Sequence, residues 1–513
     1  MLIFVIRRVL MGLALLLVSS FVMYMLVDFT IDPLSDLRTS TDPSAPLQME
    51  QRTEMLNLNA PPWVRYFDWL GAFVTGDFGV AWRTGRSVSD LLGSAMISTL
   101  QLVSFATVAA IVLGVAVGIV SALRQYTTFD YLITFFAFLM FSLPSFWVAV
   151  LLKQWGAIGF NDFLADPVIA IPVIIGIAVV TGFVWQLAVG GDLKRRVIHA
   201  GLAALAVALV LLYMQLTDWW LRPRLDWVLL TVTSLGIALT VTTLSTGLRN
   251  RRSLYTALSC VALGLVLYYP VRYFLFSNAW LTPYMNYGVA LLLGLVAIGV
   301  GALIGWLWRG PDWKQSARTG AISAFLIAFL IFLDKVMSYW GAYMAAPAIG
   351  GRPIQTIGDR APNLGGNFWV QVLDQYTHLI LPTLSLMLIS FAGYTRFSRG
   401  SMLEVMNQDY IRTARAKGIN ERTVVMRHGF RNSLIPLASI IPVDVIGLIG
   451  GALITERIFS RPGMGQLFIA NLNADDIAPV MAYLVIIAFL AILANIIADL
   501  LYAALDPRIR VNA

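Results

Sequence analysis

Residues 409–436 read DYIRTARAKGINERTVVMRHGFRNSLIP and are the one long polar, basic segment between apolar blocks in the second half of the chain. Asn407 or Asp409 can cap the start of a helix, and Gly418 stands where a left-handed residue would end it. Asn420 then restarts the pattern for a second helix. The stretch therefore predicts a helix, a glycine turn and a second helix held at a membrane surface.

The segment carries a strong excess of positive charge. Its only acids are Asp409 and Glu421, and its Lys and Arg residues are Arg412, Arg415, Lys417, Arg422, Arg427 and Arg431. From charge alone two interpretations stay open, a positive loop that fixes the orientation of neighbouring helices or a docking surface for another protein. A short amphipathic helix that is rigidly joined to membrane helices suits the docking role, because it can transmit a push.

Composition places the chain in a membrane. Of its 513 residues 58% are hydrophobic and 12% are charged, about half the charged fraction of an ordinary globular protein. The formal net charge of +8 does not indicate nucleic-acid binding, because Lys and Arg fall mostly in short gaps between apolar blocks, where they orient helices. The single cysteine, Cys260, lies in an apolar run and excludes an intrachain disulfide and a cysteine metal cluster.

Apolar stretches long enough to cross a bilayer recur along the whole chain. The first follows Arg7 and Arg8 and lacks a small-residue cleavage site, so it reads as a retained span with a cytoplasmic N-terminus. Residues 30–97 are polar and proline-rich and are expected outside. The other spans are expected near residues 98–122, 131–155, 167–189, 197–217, 227–247, 254–276, 286–308, 318–338, 378–395, 434–455 and 479–503. The predicted fold is an all-α polytopic membrane protein with about twelve transmembrane helices.

The loops between residues 159 and 350 indicate one orientation. Those expected inside, GGDLKRR, LRNRRS and RGPDWKQSAR, are net positive, whereas the outer connections TDWWLRPRLD and SNAWLTPYM are balanced or uncharged. The positive-inside rule is therefore met at each turn. Because the six spans of this segment are an even number, the chain leaves and re-enters it on the same face.

Several motifs resemble one family of transport proteins. YIRTARAKG (410–418), followed by His428, Arg431 and Asn432, resembles the cytoplasmic loop of ABC importer permeases, in the version found in dipeptide, oligopeptide and nickel permeases. Other stretches similar to this family are PWVRY (62–66), GDFG (76–79), SLPSFW (142–147) and TERIFSRPGMG (455–465). The resemblance stops near residue 159 and resumes near residue 360.

The resemblance implies a six-helix core of the type I importer fold, divided by six inserted transmembrane helices. The core would comprise residues 1–158, with spans one to three, and 351–513, with spans four to six and the coupling loop 396–433; residues 159–350 would be an inserted module. An ATPase subunit would grip the loop through Tyr410, Ile411, Arg412, Thr413, Ala414, Arg415, Ala416, Lys417, Gly418, His428, Arg431 and Asn432.

The resemblance also implies an assembly. The chain would be a permease subunit in a bacterial or archaeal cytoplasmic membrane, with both termini in the cytoplasm and with membrane lipid around it. It would pair with a second homologous permease, bind two cytoplasmic ATPase subunits, and receive peptides or a nickel chelate from an extracytoplasmic binding protein. The sequence has no Gly-x-x-x-x-Gly-Lys-Ser/Thr motif, so ATP would be bound by the partner subunits and the chain itself would need no cofactor and be no enzyme.

Polar or helix-breaking residues within the spans are candidates for the substrate pathway. Pro144 would kink span three, either to line a pathway or merely to bend the helix. Asp444 lies about ten residues into span five, where a charge is costly. The resemblance implies that span five lines the pathway, so Asp444 is expected to face the cavity and to favour a cationic group of the substrate. Asp499, near the end of span six, is better explained as a structural partner of neighbouring helices. The three histidines are far apart and lack metal-ligand spacing.

The sequence leaves some alternatives open. A twelve-span secondary transporter driven by an ion gradient fits the number of spans, but it predicts related halves, and the halves of this chain look unrelated. The inserted segment is either a functional bundle or a decoration. The residues fix neither the cargo nor whether the two permeases are identical.

Overall fold

The computed structural model of the chain describes residues 2–189, 191–310 and 313–505. Within these ranges ten helices are long and apolar enough to cross a membrane, or up to twelve when two bent helix pairs are each taken as one span. One two-residue hairpin is the only strand pairing in the same ranges. The all-α fold with about twelve spans is therefore confirmed. The predicted cytoplasmic C-terminus at residues 506–513 lies outside the described residues.

The first part of the chain has two long helices separated by a segment of short elements. In chain order its elements are α1 (Leu2–Thr30), α2 (Ser35–Arg38), α3 (Ala45–Met55), α4 (Pro62–Val74), β1 (Val80–Ala81), β2 (Arg86–Ser87), α5 (Val88–Leu123), α6 (Thr128–Ser142), α7 (Ser145–Leu151), a π-helical segment (Leu152–Gly159) and α8 (Phe160–Ala165). The strands pair antiparallel, Val80 with Ser87. α5 begins ahead of the apolar run predicted near residue 98, so its first turns extend span two beyond the membrane.

Span three is broken rather than kinked. The sequence predicts one span over residues 131–155, but α6 ends at Ser142 and α7 starts at Ser145, with the two axes bent by 102°. Leu143 precedes a proline and takes an extended conformation (φ −78°, ψ 132°), which the clash with the proline ring favours. Pro144 has no N–H to continue the ladder of α6 and instead stands before the first turn of α7.

The middle of the chain contains the six helices predicted between residues 159 and 350. They are α9 (Ile171–Ala188), α10 (Leu193–Leu216), α11 (Trp227–Ser245), α12 (Arg251–Tyr269), α13 (Tyr287–Leu307) and α14 (Trp313–Met337), with a π-helical segment (Pro270–Leu275), a 3₁₀ turn (Thr282–Tyr284) and the short α15 (Trp340–Met344). α9 and α10 pack as a hairpin next to α6, whereas α11 to α14 pack on one another and α14 and α15 pack on the following core helix.

The last part of the chain is organised around one very long helix. Its elements are α16 (Phe368–Met406), α17 (Asp409–Ala416), α18 (Glu421–Thr423), a π-helical segment (Val424–Phe430), α19 (Arg431–Gly451), α20 (Leu453–Ile458), α21 (Met464–Leu472) and α22 (Ile477–Leu505). α16 has 39 residues, whereas about 20 residues span a bilayer, and the sequence predicted only 378–395 for this span. The difference arises because helix-compatible polar residues continue the helix past both ends of its apolar stretch.

The core packs around α5 and α16, which lie side by side over most of their length. α19 packs on α22, and α22 packs on α1. A buried ion pair ties α16 to the start of α6: Arg399 donates from Nε and Nη2 to the two carboxylate oxygens of Asp130 at 2.7 and 2.8 Å. Because Asp130 is buried and also accepts a hydrogen bond from Ser121 at 2.5 Å, loss of Arg399 would leave an uncompensated charge.

The two ends of the middle segment lie side by side. Asn161 donates from Nδ2 to the Ile354 carbonyl at 2.8 Å and accepts from the Ile354 N–H at 3.0 Å. Asp162 and Arg352 lie 3.7 Å apart at the same place. The two ends of the middle segment therefore meet, whereas the even number of helices predicts only that they lie on the same face of the membrane.

Candidate functional site

The predicted docking helix is present as α17, at the end of α16. It begins at Asp409, and the preceding Gln408 makes no side-chain capping hydrogen bond, so its start is defined by the backbone alone. Gly418 has φ +72° and lies just past its C-terminus. The Gly418 N–H donates to the Arg415 carbonyl at 2.9 Å, and the Ile419 N–H donates to the Ala414 carbonyl at 3.3 Å. These bonds satisfy carbonyl groups that have no partner within the helix. The glycine turn is therefore where the sequence predicts it.

The apolar positions of α17 face inward. Ile411 is fully buried and Ala414 nearly so, and both pack on Val424 of the second helix, with Met406 and Ile419 beside them. The sequence alone offered these positions as contacts for another protein, but within this chain they hold the two helices together. The surface that α17 exposes is instead mostly polar. Its exposed members are Tyr410, Arg412, Thr413, Arg415, Ala416, Lys417 and Gly418.

An ion pair closes the turn on its outer side. Arg415 donates to both carboxylate oxygens of Glu421, from Nε at 3.1 Å and from Nη2 at 2.7 Å. The Arg415 guanidinium holds the pKa of Glu421 below its usual range, since its hydrogen bonds favour the carboxylate. Both side chains are exposed, so the pair fixes the geometry of the turn more than it adds stability.

The other predicted coupling residues lie on the return path to the membrane. Asn420 caps the second helix by accepting a hydrogen bond from the Arg422 N–H at 3.0 Å. His428 is half-buried in the π-helical segment that follows, while Arg431 and Asn432 are the first residues of α19. The structure therefore groups nine of the twelve predicted residues on α17 and its turn, and places His428, Arg431 and Asn432 one element later.

The candidate pathway residues lie on different elements. Asp444 is exposed on α19, with exposed Val443 and Gly447 nearby, and it interacts electrostatically with Tyr394 of α16. Pro144 is exposed at the break between α6 and α7, and α7 packs on α16 and α20 rather than on α19. A cavity of about 400 Å³ opens between α16 and α19, nearer to α17, with Arg396 and Glu404 in its lining. On α19 the cavity is lined by Pro436, Leu437 and Ile440, so Asp444 lies outside its lining.

A buried carboxylate, that of Glu456, lies against the first part of α5, at the other end of this helix from the Asp130–Arg399 pair. Glu456 is fully buried in the stretch TERIFSRPGMG and accepts hydrogen bonds from the Thr99 hydroxyl at 2.5 Å and from the Gly465 and Gln466 N–H groups at 2.8 and 3.2 Å. The carboxylate thus satisfies free donors at the start of α21. The arrangement gives the motif a structural role, because it locks the turn between α20 and α21 to α5.

Sequence reasoning missed two contacts that position the site. Neither the Asp130–Arg399 pair nor the contact of Arg422 with α11 was predicted, since each joins residues more than 150 positions apart. The only local signals were an acid in the first turn of α6 and an arginine beyond the apolar part of α16. Asp499 was correctly assigned a structural role: its carboxylate lies 3.2 Å from Arg8, which joins the start of α1 to the end of α22.

Comparison with known proteins agrees with this geometry. The profile of the family described as binding-protein-dependent transport system inner membrane component matches residues 220–511, a range that begins within the middle segment. The oligopeptide transport system permease protein OppB of Mycobacterium tuberculosis is 38% identical over 188 residues, covering 37% of this chain and 56% of OppB. AppB of Bacillus subtilis, also named an oligopeptide transport system permease protein, is 47% identical over 138 residues, covering 27% of this chain and 44% of AppB.

A longer match is found with the dipeptide transport system permease protein DppB of Alkalihalophilus pseudofirmus. It is 24% identical over 474 residues, covering 92% of this chain and 88% of DppB. The matches to OppB and AppB, in contrast, span only about half the length of those relatives.

Proposed function

Because this chain belongs to the family of binding-protein-dependent transport system inner membrane components, whose profile matches residues 220–511, we propose that it is a permease subunit of an ATP-driven peptide importer. The proposal covers the whole activity: a peptide passes through a membrane pathway formed partly by this chain, and ATP hydrolysis by other subunits drives the movement. The family match supports this class over the ion-driven secondary transporter that the number of spans alone allows.

The observation that carries the proposal is the exposed segment built from α17 and its turn. The segment is joined to α16 at one end and, through the π-helical segment, to α19 at the other, and both of these helices pack in the core of the protein. Its inner face is packed internally and its outer face is polar and basic, so a second protein can bind it without unfolding it. A force on this segment is passed to α16 and α19 together.

The proposal includes the partners that the family of the chain suggests. Two ATPase subunits on the cytoplasmic side supply the energy, one of them gripping α17, and an extracytoplasmic binding protein delivers the cargo. The exposed face of α19 around Val443, Asp444 and Gly447 is covered by a second, homologous permease, and the pathway runs between the two chains. Supporting this arrangement, Asp444 is a costly group to leave in lipid but a suitable one in a water-filled pathway.

The orientation belongs to the proposal as well. The basic loops of the middle segment and the basic α17 segment lie on the cytoplasmic side, as the positive-inside rule requires. Both chain termini lie on this side too, which agrees with the contact of Arg8 with Asp499. The cargo is a short peptide, as the names of the relatives suggest, and a nickel chelate is the second cargo to compare.

The test is a charge exchange at the turn. Arg415→Glu places two acids face to face, so we expect it to loosen the ATPase subunits from the membrane complex and to stop uptake of radiolabelled di- and tripeptides. The matched double variant, Arg415→Glu with Glu421→Arg, restores the ion pair inside the turn but not the outward charge pattern. If the single variant alone fails, the pair acts by shaping the turn; if both fail, Arg415 contacts the ATPase directly.

Normal ATPase attachment and normal peptide uptake in both variants would contradict the proposed coupling. The amount of chain recovered in the membrane fraction serves as the control for insertion.

A further inference from the structure

One side chain joins the candidate coupling segment to the middle segment of the chain. Arg422, in the first turn after the capping residue Asn420, donates from Nη2 to the carbonyls of Thr243 at 3.1 Å and Leu244 at 3.2 Å. These are carbonyls of the last turn of α11, which ends at Ser245. The last four carbonyls of a helix have no partner within the helix and carry its partial negative charge, so a guanidinium there is favoured.

The end of α11 is shaped to receive this arginine. The Thr246 and Gly247 N–H groups both donate to the Thr242 carbonyl, at 3.0 and 2.9 Å, which leaves the carbonyls of Thr243 and Leu244 for Arg422. Gly247 has φ +83°, and a Cβ atom at this position would lie 2.7 Å from Arg422 Nη1. Glycine is therefore needed there both for the backbone turn and for the space that the guanidinium occupies.

The contact continues on both sides into packed structure. Toward the coupling segment, the neighbouring Glu421 holds Arg415 of α17 through two hydrogen bonds. Toward the middle segment, Ser245 bonds Thr319 of α14 at 2.7 Å, and α11 packs on α12 and α14. A displacement of α17 must carry α11 with it or break the bonds of Arg422.

We propose that Arg422 is a positioning residue through which the helices of the middle segment set the position of the ATPase-docking helix α17. This inference rests on the proposed function and gives the middle segment a role in coupling. In this arrangement the middle segment fixes the position of α17 relative to the membrane helices, and so the position at which the ATPase binds.

The experiment uses the transporter complex isolated through a tag on this chain, with its ATPase subunits. We expect Arg422→Ala to lower both the retained ATPase and the rate of ATP hydrolysis, by roughly threefold to tenfold, as the loss of charge-assisted hydrogen bonds at a partly exposed site predicts. Arg422→Lys should recover most of the rate, because an ammonium group can donate to the same carbonyls. Arg249→Ala is the matched control: it removes an exposed arginine just past α11 that makes no hydrogen bond or ion pair in the described ranges, and should stay within about twofold of the unaltered chain.

A second variant tests the contact from the other side. Gly247→Ala fills the space of the guanidinium and should reproduce the defect, and the double variant Gly247→Ala with Arg422→Ala should be no worse than the more damaging single change, because both remove one contact. Additive losses, or an Arg422→Ala complex that behaves like the Arg249→Ala control, would overturn the inference while leaving the proposed function intact. An unaltered chain that retains no ATPase would instead refute the proposed function. A rise in ATP hydrolysis on losing Arg422 would also overturn the inference, since the contact would then be a brake.

Discussion

Asp475 and Asp476 show how single residues hold the segment between α1 and α5 to the start of α22. Asp476 is fully buried before α22, and its Oδ2 accepts a long hydrogen bond from the Arg83 N–H at 3.5 Å. The adjacent Asp475 accepts from the Ser35 hydroxyl at 2.8 Å and, through its carbonyl, from Trp82 at 3.3 Å. Burial raises the pKa of Asp476 to about 6, although backbone N–H groups partly offset the effect.

This raised pKa makes stability depend on pH. Below about pH 4 the carboxyl group of Asp476 is protonated in both the folded and the unfolded chain. Between pH 4 and 6 the folded chain binds more protons than the unfolded chain, so the free energy of unfolding falls as pH rises. Above pH 6 it stays lower by roughly 3 kcal/mol. Asp476→Asn removes the ionisation, so the gain in Tm relative to the native chain should be larger at pH 8 than at pH 5. The measurement is thermal unfolding in detergent, followed by tryptophan fluorescence. Equal differences in Tm at the two pH values would show that Asp476 does not titrate in this range.

Asp444 carries the prediction about cargo. Its exposed carboxylate on α19 should favour cationic substrates, so Asp444→Asn should lower uptake of lysine-containing dipeptides by roughly threefold to tenfold, while uptake of neutral dipeptides of the same length changes little. Competition between the two radiolabelled peptides measures the ratio in one sample. An unchanged ratio would place Asp444 outside the pathway.

At the scale of elements, the proposed docking helix α17 depends on its glycine turn. A Cβ atom at Gly418 would meet nothing within 4 Å, so substitutions there act through the backbone alone. The positive φ of +72° costs an ordinary residue about 1 kcal/mol, asparagine less, and proline most, because proline cannot adopt this φ and loses the N–H that bonds Arg415.

The resulting prediction is a graded series. Gly418→Asn should retain nearly all of the bound ATPase, Gly418→Ala should retain less, and Gly418→Pro should retain almost none, as measured by the ATPase recovered with the tagged chain. Gln408→Ala, at an exposed residue just before α17 that makes no side-chain capping hydrogen bond, controls for substitution next to the same element. The same retention for Asn, Ala and Pro would mean that the shape of the turn does not matter for docking.

At the scale of the molecule, the middle segment is predicted to be an inserted module. Its ends meet at the Asn161–Ile354 hydrogen bonds, and its helices contact the core mainly through α9 with α6 and through α14 and α15 with α16. The core helices on either side also pack on one another, since α5 lies along α16. The start of α16 also shares a buried cluster with this segment, in which Trp369 lies among Phe276, Met285 and Tyr343.

Deletion of residues 165–350, with a short Gly-Ser linker in their place, tests the prediction that these residues form an inserted module. We expect the shortened chain to insert and to assemble with its partners, because Asn161 and Ile354 already lie side by side and a short linker can join the two ends. We expect it to hydrolyse ATP as slowly as the Arg422→Ala complex. Membrane recovery, subunit retention and ATP hydrolysis are the measurements. Normal hydrolysis would make the segment a decoration, and loss of insertion would make it part of the core.

The sequence by itself determined the class of the protein, the number and order of its membrane helices and the glycine turn of the docking helix. These follow from hydropathy over windows of about 20 residues and from local backbone preferences, which neighbouring residues encode. Only the tertiary structure decided the 102° break at Pro144, the inward orientation of Ile411 and the contacts of Arg422 and Asn161 with residues far away in the chain. A proline in the sequence predicts that a helix is interrupted, but it does not predict the angle between the two resulting helices, because their packing on other helices sets that angle. An arginine in the sequence indicates a hydrogen-bond donor but does not identify the acceptor. A contact between distant segments leaves no periodic pattern in the residues around it.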